Sequence, residues 1–154
     1  MNTKVRFEDI EDIIYETLDG GKSFKIKPNG ISMLPLIRPG EDSVFIKKPQ
    51  GRLKKYDIAF YKRDSGQFVL HRVIDVKEES YVMCGDNQWV KEYNICDKNI
   101  IGIVEKIERD GKIFDCENKR YMRYVKNRVN TRIIREMRSV LAYKVKRIIK
   151  RLHK

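Results

Sequence analysis

A chain of 154 residues that is 41% hydrophobic and 10% aromatic can bury one modest core, which excludes wholesale disorder and leaves room for one domain plus an appendage. Its formal charge of +12 is unevenly placed: residues 117–154 carry 14 Lys/Arg against Glu117 and Glu136, while the other 116 residues balance 20 basic with 20 acidic side chains. Attraction to polyanions is therefore a property of the last quarter of the chain. Cys84, Cys96 and Cys116 form no CxxC pair and read as free thiols of a reducing compartment, which places the protein in a cytoplasm. With only His71 and His153 available, no metal site is expected, and no motif calls for a cofactor. The charged start "MNTKVRFEDIEDII" lacks the apolar stretch of a signal peptide, and no run reaches 18 apolar residues.

In chain order, "FEDIEDIIYETLD" (7–19) spaces Phe7, Ile10, Ile13, Ile14 and Leu18 as a helix, with Gly20–Gly21 as its stop. Short β-like runs follow at 23–27, 43–48, 57–63, 67–76, 80–84, 100–108 and 112–116. Turn signals separate them, among them Pro28-Asn29-Gly30, Pro39-Gly40, Ser65-Gly66 and Gly85-Asp86-Asn87. The expectation is a mainly β fold, a compact antiparallel barrel or sandwich. After Gly111 there is neither glycine nor proline, and apolar residues recur every three or four positions from Met122 to Leu152. That predicts a long basic amphipathic helical segment, broken near Asn127–Thr131. The segments are 1–22 (helix), 23–116 (β body) and 117–154 (basic tail).

The stretch "NGISMLPLIRPGEDSVFI" (29–46) sets Ser32 in a Gly/Pro-rich turn between two strands. A serine hydroxyl needs an adjacent base to become a nucleophile, and His71, inside "FVLHRVI", is the only histidine away from the chain end. Each residue also has an ordinary reading. Ser32 suits a turn or cap, and His71 suits a half-buried strand position bonded to a backbone group.

Taken together and in order, "GISMLPLIRPGEDSVFI", "YDIAFYKRDSGQFVLHRVI" and "VMCGDNQ" resemble the catalytic core of the signal peptidase and LexA-type serine peptidases over roughly residues 28–107. The resemblance implies that Ser32 is the nucleophile and His71 the base, with Gly30, Ile31, Met33 and Pro35 shaping the substrate cleft and oxyanion region. Histidine followed by arginine is similar to the archaeal, endoplasmic-reticulum and sporulation-type signal peptidases, whereas "GISM" is closer to the LexA side. A histidine base needs an acid to fix its tautomer. Asp86 in "CGDNQ" is the first choice, its ordinary reading being a turn aspartate, and Glu92 and Asp97 are the other candidates. Two departures stand out. Tyr56-Asp57-Ile58 replaces a Gly-Asp-Ile, which should alter that loop, and Gly30 stands where relatives often carry a hydroxyl oxyanion donor. Neither a membrane anchor nor a DNA-reading domain is expected.

For the tail three readings compete: a stripe packed on the β body, docking on an anionic membrane surface, and, ranked last, nucleic-acid binding. Membrane docking would put the protein peripherally on the inner face. The functional expectation is a Ser–His(–Asp) endopeptidase acting on a leader or precursor peptide. The alternatives are a non-catalytic β-barrel binding module that uses its basic tail, and a LexA-like regulator that cleaves itself.

Overall fold

The computed structural model of the chain describes residues 10–138 and 140–142. The expected helix is α1 (Glu11–Asp19), which buries Ile14 and Leu18. It ends where Gly21 takes a φ of +73° and donates its N–H to Leu18 O. Phe7 lies outside the described residues, as do Tyr143, Val145, Ile148, Leu152 and His153 of the expected tail helix.

The fold is mainly β, as composition and alternation imply. Among the described residues, eight antiparallel strands form one open sheet: β1 (Phe24–Ile26), β2 (Ser43–Lys47), β3 (Ile58–Lys62), β4 (Phe68–Val76), β5 (Tyr81–Cys84), β6 (Glu92–Ile95), β7 (Ile100–Arg109) and β8 (Lys112–Asp115). The spatial order is β1-β2-β7-β3-β4-β5-β6, so β1 and β6 are the edges. β7 pairs with β2 along one side; along the other its first half meets β3 and its last residues meet β8. Seven strands fall where sequence places them. β6 does not, because "EYNI" alternates poorly and its two middle residues are exposed.

β3 is buried on both faces. Ile58 and Phe60 join one core with Ile14, Leu18, Met33 and Ile37, and Ala59 and Tyr61 join a second with Val73, Tyr81 and Met83. Tyr56, just before β3, adopts a φ of +87°, the left-handed conformation that glycine takes most easily. It is held there by its N–H on Val73 O and by Arg72 donating to its carbonyl.

The tail divides. α2 (Lys119–Asn130) starts at the Asn118 cap, and its Tyr121 and Val125 enter the first core. The helix breaks at Thr131, inside the expected window, and residues 132–138 and 140–142 are again helical. Only this second stretch leaves its apolar side open: Ile133, Ile134, Met137, Val140 and Leu141 are all exposed. No helix among the described residues is long and apolar enough to cross a membrane.

Candidate active site

Strand alternation divides the work of two neighbouring residues on β4. His71 pairs in register with Ala59 and shares the face of Val69 and Val73, while Arg72 points to the other face. His71 is 3% exposed and opens on a cleft of about 310 Å³, whose lining also includes Gly30, Ser32 and Met33. Sequence positions 39 residues apart thus converge on one cavity. No hydrogen bond joins Ser32 to His71 at 3.5 Å or closer, a separation common in sites without substrate. Nor does a local backbone group engage the Ser32 hydroxyl, as a cap would require.

The Ser32 turn is fixed from both sides. Buried Asp42 accepts from the Arg38 backbone N–H and from the side chains of Arg38 and Arg109, and Arg109 also donates to Pro35 O and Leu36 O. Hydrogen bonds from these two arginines outweigh burial and hold the Asp42 carboxyl below the usual carboxylate range. On the other side the 85–87 loop packs against Ser32: Asn87 N–H donates to Ser32 O at 2.8 Å, and a Cβ on Gly85 would lie 2.6 Å from the same oxygen. Glycine is required there because the two backbones approach so closely. Ile31 and Pro35, expected in the cleft wall, are not part of its lining, and Ile31 is 64% exposed.

The acid facing the histidine is Glu92. Its Oε1 lies 2.8 Å from His71 Nδ1, and Arg63 grips both carboxylate oxygens at 2.7 Å. A carboxylate cannot donate, so the proton between it and the imidazole belongs to Nδ1, which leaves the Nε2 lone pair free to act as base. The Tyr61 hydroxyl, 3.3 Å from Nδ1, then directs its proton at Glu92. Burial pushes the His71 pKa down; Glu92 pulls it back through charge and a hydrogen bond, and the balance stays below 6.5. His71 is therefore neutral at neutral pH, as a base must be. Burial alone would raise the Glu92 carboxyl, but hydrogen bonds from Arg63 and Tyr61 and the charge of His71 hold it below its usual value.

Asp86, first choice from the sequence, has a different partner. It forms a two-point ion pair with Arg72, Nε to Oδ1 at 2.7 Å and Nη2 to Oδ2 at 2.6 Å, with the two side chains 0% and 3% exposed. The reason is alternation: the loop presents its aspartate to the β4 residue on the face away from His71. Arg72 also donates to the Tyr121 hydroxyl, so it ties the Ser32-supporting loop to α2. Asp97, the third candidate, pairs with Arg52 and accepts from Tyr81, and it takes no part in the His71 cluster. The register Val73↔Met83↔Glu92 puts Glu92 on the His71 face of the sheet. That relation becomes readable only once β6 is recognised as a strand. No protein-family model matches the chain, and no match is found among curated proteins or solved structures.

Proposed function

We propose that the chain is a serine endopeptidase of the signal-peptidase/LexA type, its sheet being the β core of that superfamily and its cytoplasmic substrate a leader or precursor peptide. The observation that carries the reading is the convergence of Ser32 and His71 on one cleft, with a carboxylate seated on His71 Nδ1. In this mechanism Ser32 Oγ attacks the peptide carbonyl while His71 Nε2 takes its proton. The imidazolium, stabilised by Glu92, then protonates the leaving amine. Water, activated by the same histidine, hydrolyses the acyl-enzyme. The backbone N–H of Ser32 serves the oxyanion with a second donor, because Gly30 offers no hydroxyl.

Two strand edges beside the cleft support an extended substrate. Among the described residues, β1 pairs with β2 alone and residues 69–71 of β4 pair with β3 alone; Ile26 from the first and Val69 and Leu70 from the second line the cleft. A peptide between them would gain backbone hydrogen bonds on either side and set alternate side chains into the apolar wall. The test is labelling by a fluorophosphonate probe. Wild type should react at Ser32, and both Ser32→Ala and His71→Ala should be silent. Labelling that persists in Ser32→Ala, or a wild-type protein inert between about pH 6 and 9, the range about a histidine base, would leave the non-catalytic binding module as the better reading.

A further inference from the structure

The helix after Thr131 has two faces with different employment. One carries Arg132 and Arg135, which turn inward. Arg132 donates to Trp89 O, while Arg135 donates to Asp86 O at 3.4 Å and stacks on the Trp89 ring at 5.5 Å. Arg128, at the end of α2, donates to Asp86 O at 3.1 Å. These contacts fix the helix on the 85–90 loop and so decide which way its other side faces. That other side carries Ile133, Ile134, Met137, Val140 and Leu141, at spacings of one, four, seven and eight, with exposures from 48% to 69%. Five large apolar side chains on one helical stripe, all open to solvent, are what an interaction surface looks like.

Charge chooses the occupant. Residues 131–154 contain nine Lys/Arg and a single acidic residue, Glu136. A second copy of the chain laid against the stripe would bring two such segments together and repel. A nucleic-acid backbone would satisfy the charge and leave the apolar side chains in water. An anionic bilayer satisfies both, taking the stripe into the headgroup–acyl boundary and the cations among the phosphates. We propose that the helical residues 132–138 and 140–142 form an interfacial surface that docks the protein on an anionic lipid surface. α2 is excluded from that role because its apolar side is already spent in the core. The proposal does not depend on the peptidase reading, because an inert Ser32 would leave it standing.

The test is flotation of the full chain with vesicles of phosphatidylcholine alone and with about 30% phosphatidylglycerol, at low salt and at about 0.5 M salt, where the screening length falls to a few ångströms. Wild type should float with the anionic vesicles at low salt, lose most binding at high salt, and stay at the bottom with the neutral ones. The double variant Ile134→Asp/Met137→Asp, at positions 52% and 67% exposed, should retain the wild-type circular dichroism spectrum. It should bind the anionic vesicles at least roughly tenfold more weakly. Equal flotation of the folded double variant and wild type would overturn the proposal. So would a wild type that fails to float yet forms a dimer abolished by the same substitutions, or one that binds oligonucleotides and ignores vesicles.

Discussion

Replacing Glu92 by glutamine keeps the shape of the side chain and removes the charge beside the histidine. For full charges 2.8 Å apart, Coulomb's law with an effective dielectric constant of about 20 gives about 6 kcal/mol. Arg63 lies 2.7 Å from both oxygens of the same carboxylate and its charge opposes protonation of His71, so it cancels part of that sum. A net loss of about 3–4 kcal/mol remains, equivalent to roughly 10²–10³-fold in the rate at which Ser32 is acylated. The assay is the second-order labelling rate with a fluorophosphonate probe across pH. In wild type the rate should be full at neutral pH and fall as pH drops through a limb below 6.5, where His71 takes up a proton. Because Glu92 raises the proton affinity of His71, Glu92→Gln should move that limb further to acid as well as lower the plateau. Labelling within about threefold of wild type, with an unmoved limb and a silent His71→Ala, would refute the assignment of Glu92 to the site.

Two further outcomes separate scaffold from chemistry. Asp86→Asn strands the Arg72 guanidinium, 0% exposed, without its counter-ion, and should cost about 3–5 kcal/mol in urea denaturation. The pH limb of the folded variant should move to acid by less than in Glu92→Gln, because the Asp86 charge acts on His71 more weakly than Glu92 does. A change under about 1 kcal/mol would show that the pair is dispensable. Gly85→Ala puts a Cβ 2.6 Å from Ser32 O, so the turn must shift and labelling should fall by roughly tenfold or more. Gly30→Ala, whose Cβ meets nothing within 4 Å, should leave stability within about 0.5 kcal/mol of wild type.

Much of this arrangement can be read from residue order, and the limits have physical causes. Strands with β-branched and aromatic alternation between Gly/Pro turns declare themselves, and so does the helix break at Thr131. A four-residue edge strand such as Glu92–Ile95 has too few side chains to set a period, and the acid that faces His71 rides on it. The "GDN" loop announces its importance in sequence but not its job. Its glycine allows close approach to Ser32 and its asparagine N–H donates to Ser32 O, while its aspartate pairs with Arg72 on the other face of β4. Periodicity made the whole tail one amphipathic segment, because it reports that an apolar side exists and is blind to what covers it. Tyr121 and Val125 are covered, while Ile133 and Met137 are not.

The adjacency of His71 and Arg72 has a consequence for how this chain can fail. The hairpin turn at Asp64–Gly66 sets the parity of β4 against β3, and one residue gained or lost there would exchange the two side chains between faces. The guanidinium would then crowd against Arg63, which already holds the Glu92 carboxylate, and the imidazole would lie against Asp86 beneath the loop. A slipped hairpin would lose its buried ion pair and its base in the same step. For this strand, a correctly folded population and a chemically competent one would be one and the same.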